Sequence, residues 1–309
     1  MRYASPQSRP LSILLPQLRR RSVLQSPAIM TTTNPPPHYV LGSTDAEHER
    51  LIRQAARLAP LTERLFREAG IGAGQRVLDI GSGVGDVAML AANLVGSTGE
   101  VVGIERDSRS IARARSRVAE AGLHNVSFTQ SDANQVASEK LFDAAVGRFI
   151  LQFLPDPVAV LHSLSRLIRP GGVLAFHEVS YAPFLLLSAH LPLWSAAASL
   201  IHETIQRSGA HTEIGLAQYR FFQEAGLPAP TMRMEILLGG DPEFTRWTYD
   251  LLCSLRLQIQ QLNLSLNTLG DFDTLPERIH AEVATSKTVV PFVALVGAWS
   301  HKPIDQVSR

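Results

Sequence analysis

The sequence predicts an α/β protein built on a doubly wound parallel sheet, and three observations carry that expectation. From residue 76 onward, short apolar runs alternate with stretches of helical spacing. The segment VLDIGSGVGDVAML (77–90) passes from an apolar run through three alternating glycines directly into a helical pattern. The next two apolar runs end on acids, Glu105 and Asp132, at the carboxyl ends of the strands where the ligands of such sheets bind.

Each element follows in order. RVLDIG is the first strand, and DVAMLAANLVG is a helix ending at Gly96. GEVVGIER is the second strand, followed by the amphipathic helix SRSIARARSRVAEAGL, stopped by Gly122. NVSFTQSD is a third strand and FDAAVGRFI a fourth. PVAVLHSLSRLIRPGG reads as a helix with a glycine stop, and VLAFHEV as a fifth strand. Such alternation makes a parallel sheet covered by helices on both faces.

Composition narrows the function. A chain of 309 residues can bury a substantial core, and its 45% apolar and 18% charged content is that of a globular protein. A formal net charge of +1 lacks the concentrated basic excess of a nucleic-acid binder, so no nucleic-acid partner is expected. Cys253 stands alone, which excludes an internal disulfide framework and a cysteine-cluster metal site and points to a reducing compartment. No metal is expected. The segment VSYAPFLLLSAHLPLWSAAASLIH (179–202) approaches the length of a membrane span. Pro183, Pro192 and His190 interrupt it, so it reads as buried lid helices rather than an integral membrane segment.

The first 44 residues contain no acid, while Arg2, Arg9, Arg19, Arg20 and Arg21 are interspersed with serine and proline. This is the composition of a mitochondrial transit peptide, but also of a disordered leader or of a start upstream of Met30. Residues 1–38 are taken as leader and 39–309 as the folded domain, with lid segments at 39–69, 181–213 and 242–287. A cytoplasmic location is expected, or a mitochondrial one if the leader is a transit peptide.

The turn after the first strand places glycine at 81, 83 and 85. Glycine there tolerates left-handed dihedrals and lets backbone pass close to a ligand. A dinucleotide fingerprint has the spacing G-x-G-x-x-G, and its third glycine position is Asp86 here. Asp79 and Asp86 flanking the turn are poor company for a pyrophosphate and suit a ligand with positive charge. Glu105, ending the second strand, can accept both hydroxyls of a ribose. Asp132 in SDAN is placed to accept from an adenine amine. Together these describe a nucleoside bearing an amino-acid tail.

These motifs resemble those of the class I S-adenosylmethionine-dependent methyltransferases. VLDIGSGVG is similar to their first motif, VVGIERD to the second, SDAN to the third, and FDAAVGRFILQFLPDP with LIRPGGVLAFHEV to the fourth and fifth. Further on, LAQYRFFQEAGLPAP resembles the helix before strand six, and FVALVGAWSHK the last strand. The resemblance implies a Rossmann-like seven-stranded sheet with an antiparallel last strand and helical lid insertions. It implies S-adenosylmethionine as cofactor, with contacts at Asp79, Gly81, Gly83, Glu105, Arg106, Asp132, Ala133 and Arg148. In similar enzymes an N-terminal helix covers the cofactor, a role open to Tyr39 and Gln54. The alternative is a plain amphipathic helix capped by Ser43 or Thr44. By look, the nearest relatives are the ubiquinone- and menaquinone-type small-molecule methyltransferases.

Methyl transfer is an in-line displacement and needs a base only where the acceptor holds its proton tightly. Candidates are His177 and Glu178 at the end of the fifth strand, with Tyr181 and His190 leading into the lid. Successive strand side chains point to opposite faces, so at most one of His177 and Glu178 faces the pocket. Phe184, Trp194, Phe244, Trp247, Tyr249 and Leu255 either line an apolar cavity or form the core that ties the lid to the sheet. The expected activity is methylation of a hydrophobic small molecule, a secondary or specialised metabolite. A protein or nucleic-acid methyltransferase, and a fold that keeps the cofactor for another reaction or for regulation, stand as alternatives.

Overall fold

The apolar runs become strands because helices cover both faces of the sheet they form, which leaves no room for polar side chains on either side. The computed structural model describes residues 41–42 and 44–304. The Arg-rich leader, Tyr39 and Ser43 lie outside the described residues. In chain order the elements are α1 (Asp45–Glu68), β1 (Arg76–Ile80), α2 (Asp86–Val95), β2 (Glu100–Glu105), α3 (Ser108–Glu120), β3 (Val126–Gln130) and β4 (Phe142–Arg148). A 3-10 turn (Leu151–Phe153), α4 (Pro157–Leu167), β5 (Ile168–Ser180), α5 (Ala182–Leu187), α6 (Pro192–Arg207) and α7 (Ile214–Glu224) follow. The chain then forms β6 (Thr231–Glu235), β7 (Leu238–Gly239), α8 (Pro242–Gln261), a 3-10 turn (Asn267–Leu269), α9 (Leu275–Thr285), β8 (Val290–Pro291) and β9 (Ala294–His301).

Seven strands form one sheet in the order β3-β2-β1-β4-β5-β9-β6, and β7 pairs with β8 separately. Strands β1 to β5 run parallel, while β9 is antiparallel to both of its neighbours. The strand order reverses between β1 and β4, so the crevice at their carboxyl ends is the switch point at which such sheets bind ligands. The seven-stranded sheet and its antiparallel last strand are as expected.

One boundary differs. The sequence pattern carries the fourth helix to the glycines at 171 and 172, but α4 ends at Leu167 and Ile168 is already extended. Ile168 pairs with Phe142 of β4. Pro170 has no N–H to continue the helix, and its ring disfavours helical backbone at Arg169.

Thr44 caps α1, its hydroxyl accepting from the Glu47 N–H. Helices α5 and α6 lie in the expected lid segment 181–213, and α8 and α9 in segment 242–287. Among the described residues, no helix is long and apolar enough to cross a membrane. The aromatic residues of these segments form core. Phe184, Trp194, Phe244, Trp247 and Leu255 are buried in one cluster with the sheet, and the Trp247 ring stands 4.5 Å from that of Phe292. Tyr249 is half-buried and packs on Phe272 at 4.9 Å.

Two carboxylates tie the starts of α5 and α6 to neighbouring elements. Glu213 accepts from the N–H groups of Tyr181 and Ala182 at the start of α5. Glu282 of α9 accepts from Leu193 and Trp194 N–H at the start of α6, at 2.8 and 2.9 Å. Substituting Glu282→Ala strands two N–H groups that nothing else in the helix can satisfy. The expected cost is about 1–2 kcal/mol, a fall of roughly 2–4 °C in the calorimetric Tm.

Candidate cofactor and acceptor site

The chain leaves β1 through a turn that only glycine can make. Gly81 has φ +66°, and a Cβ there would lie 2.6 Å from the Ile150 side chain. Gly83 has φ +51° and faces open space, with nothing within 4 Å of where its Cβ would be. The turn is fixed by bonds from Ser82 N–H to the Ile104 carbonyl and from Gly85 N–H to the Ser82 carbonyl. Gly85 then begins α2.

Around this turn stand the predicted acids. Asp86 pairs with Arg117 at 2.8 Å. Asp79 is fully buried, and neither of its carboxyl oxygens has a hydrogen-bond partner. Burial holds its pKa well above the ordinary carboxylate range, with the Arg148 charge pulling the other way. Arg148, at the end of β4, donates to the Thr62 hydroxyl at 3.1 Å. Glu105 accepts three backbone N–H groups, from Gly83 at 2.9 Å, Arg106 at 2.8 Å and Asp107 at 2.9 Å. Its carboxylate thus shapes the turn as well as ending β2. Asp132 and Arg106 are exposed on the loops after β3 and β2, and Ala133 is half-buried. These predicted residues gather at the carboxyl edge of β1, β2, β3 and β4.

His177 and Glu178 face opposite sides of β5, as strand alternation requires. His177 Nδ1 lies 3.1 Å from the Thr62 hydroxyl of α1, and burial with the nearby Arg148 charge pushes its pKa down to about 3. Glu178 is fully buried and accepts from Ile150 and Leu151 N–H, both at 2.9 Å. Burial pushes its pKa up to about 8 against the backbone donors that lower it. Tyr181 is buried against Phe184 and His202, and burial raises its phenol pKa. His190 is exposed in the connection between α5 and α6. Gln54 is half-buried and accepts from Arg50 at 2.8 Å.

Sequence reasoning missed the partners that set these positions. Thr62 links Arg148, His177 and the Leu58 carbonyl. Glu47 and Arg50, buried on α1, form a two-bonded pair at 2.7 and 2.6 Å, and Ser254 of α8 donates to Glu47. Only the i,i+3 spacing of Glu47 and Arg50 signalled that pair in advance.

A buried, unpartnered carboxylate beside an open glycine turn fits a ligand with a cationic end. A carboxylate at the close of β2 fits its sugar hydroxyls. With the strand order above, this arrangement suits a nucleoside bearing a cationic tail. The family description "Methyltransferase domain" matches residues 71–226. The chain belongs to the class I S-adenosylmethionine-dependent methyltransferases.

Among its curated relatives is the ubiquinone/menaquinone biosynthesis C-methyltransferase UbiE of Pseudomonas fluorescens. It is 34% identical over 183 residues, which is 59% of this chain and 69% of that protein. The protein of the same name from Coxiella burnetii is 36% identical over 115 residues, 36% of this chain and 46% of its own length. The chain therefore spans about half the length of that relative. Two solved structures share the fold. One, from Bacillus halodurans, has a TM-score of 0.53 at 19% identity, covering 78% of this chain and 97% of that one. The other, the YcgJ protein of Bacillus subtilis, has a TM-score of 0.52 at 16% identity, covering 80% of this chain and 99% of that one.

Asp79 makes the ligand-free protein pH-sensitive. A carboxyl whose folded pKa is raised binds its proton more tightly folded than unfolded. Its contribution to stability therefore falls as pH climbs from the ordinary value of 3.8 towards the higher folded one. Asp79→Asn should raise the Tm of the ligand-free protein at pH 7 and flatten its decline with pH. The same substitution should weaken S-adenosylmethionine binding at least tenfold, about 1.4 kcal/mol, in a calorimetric titration.

Proposed function

We propose that this chain transfers the methyl group of S-adenosylmethionine to a hydrophobic small molecule. The observation that carries the reading is the Asp79 carboxylate, buried without a partner at the edge of the Gly81–Gly83 turn. S-adenosylmethionine supplies an electrophilic methyl group on a sulfonium. Asp79, Gly81 and Gly83 would take its cationic amino-acid end, and Glu105 its ribose. Arg106, Asp132, Ala133 and Arg148 complete the cofactor side, with Tyr39 and Gln54 covering it from the N-terminal segment.

On the acceptor side, neither β5 candidate is free to act as a base at neutral pH. His177, at about 3, is a very weak one, and Glu178, at about 8, keeps its proton. The protein's work is then alignment and exclusion of water, which can supply ~7–11 kcal/mol of a barrier. The acceptor must itself be nucleophilic. Segments 39–69, 181–213 and 242–287 act as the lid in this reading, with Tyr181 packed on Phe184 of that lid. The C-methylation named for the relatives supports an apolar or aromatic acceptor. A specialised metabolite is the acceptor class proposed here. Methylation of protein or nucleic acid is the competing outcome.

Two measurements test the proposal. In a calorimetric titration, S-adenosylmethionine should bind and NAD should not; heat from NAD alone would remove the cofactor assignment. Pure protein with methyl-labelled cofactor is then added to cell extract, and the products are split into organic-soluble, protein and nucleic-acid pools. The label should collect in the organic-soluble pool and depend little on salt. Label concentrated in protein or nucleic acid defeats the small-molecule reading.

A further inference from the structure

The chain turns sharply as it leaves β4. Phe149 has φ +57°, a left-handed backbone that a bulky residue adopts only where its surroundings hold it. Three bonds from β5 do so. Phe149 N–H donates to the His177 carbonyl at 3.0 Å. Ile150 and Leu151 N–H both donate to one oxygen of the Glu178 carboxyl. The corner they fix presses Ile150 into space left by two glycines. A Cβ on Gly81 would lie 2.6 Å from Ile150 Cδ1, and one on Gly147 would lie 2.8 Å from Ile150 Cγ2. The backbone held by Glu178 is therefore in direct contact, through Ile150, with the turn that receives the cofactor.

We propose that Glu178 is a positioning residue that locks the left-handed corner at Phe149, so that Ile150 wedges against Gly81 and holds the cofactor turn in its binding shape. This rests on the reading of that turn as the S-adenosylmethionine site. The second Glu178 oxygen is buried without a partner. Burial lifts the carboxyl to about 8, which favours its protonated form at neutral pH. A glutamine, with one carbonyl acceptor and a neutral nitrogen, reproduces that arrangement closely.

The test uses the full chain with S-adenosylhomocysteine as the probe. Affinity is read by titration calorimetry, and hydrogen exchange is followed on a peptide covering residues 148–153. Glu178→Gln should bind within twofold of the unsubstituted protein and keep its exchange protection. Glu178→Ala should lose about tenfold in affinity and expose the Ile150 and Leu151 amides. Glycine accepts left-handed backbone without support. Phe149→Gly should therefore bring the Glu178→Ala protein back to within threefold. Should the single Ala variant not fold, Phe149→Gly is compared with Phe149→Gly/Glu178→Ala. Equal affinities support the lock, and a tenfold gap between them overturns it. Unchanged binding and exchange in Glu178→Ala, or a Gln variant as weak as the Ala one, would also overturn it. Failure of the unsubstituted protein to bind S-adenosylhomocysteine would instead strike the cofactor reading beneath it.

Discussion

The approach of β4 to the turn after β1 governs the carboxyl edge of this sheet. At 2.6 Å from the Ile150 side chain there is no room for a Cβ on residue 81. Glycine is thus demanded twice over at that position, by its positive φ and by the neighbour it meets. The same approach requires β4 to turn at once, which puts Phe149 in left-handed backbone and leaves the next two N–H groups pointing into the interior. Buried N–H groups need acceptors. Glu178 of the adjacent strand supplies one, and its neighbour His177 then necessarily faces α1, where Thr62 receives it.

The acids at the carboxyl edge are unequally met within the chain. Asp86 has Arg117, and Glu105 has three backbone donors, whereas Asp79 is offset only by the field of Arg148 and, more weakly, the Ala88 backbone N–H, against the repulsion of Glu105 and Asp86. An unsatisfied carboxylate in the interior opposes folding. A ligand that binds the folded state and supplies positive charge there would return that stability by mass action. The Thr62 hydroxyl keeps Arg148 at the end of β4, near enough to moderate Asp79 without a direct hydrogen bond to it.

Much of this was legible in the chain. The glycine spacing excluded a dinucleotide loop because Asp86 stands where the third glycine belongs. The acids ending β2 and following β3 were visible because ligand contacts in doubly wound sheets fall just past strand ends. Helices α6 and α8 were visible through apolar periodicity. What stayed hidden depends on tertiary neighbours. Phe149 reads as the next residue of an apolar strand, and nothing local announces its positive φ. Alternation placed His177 and Glu178 on opposite faces without naming Thr62 or the Ile150 backbone as their partners. The glycines at 171 and 172 suggested a helix stop, whereas pairing of Ile168 with Phe142 ended α4 earlier. The aromatics of segments 181–213 and 242–287 could have been cavity or core, and only their mutual packing distinguishes the two.

The division of labour at β5 bears on the chemistry. A methyltransferase that must deprotonate its acceptor needs a base whose pKa lies near the working pH and whose lone pair is free. Glu178, pushed up to about 8 by burial, favours its protonated form at neutral pH, and one of its oxygens already serves two backbone amides. His177, at about 3, fails the first condition and is turned towards α1. Both are better suited to holding geometry than to moving protons. That matches the needs of an in-line displacement, in which the sulfonium charge disappears as the methyl leaves and rate depends on how rigidly the two reactants are aligned. A corner held by a buried acid, wedged against the glycine turn after β1, is a means of supplying that rigidity from the scaffold itself.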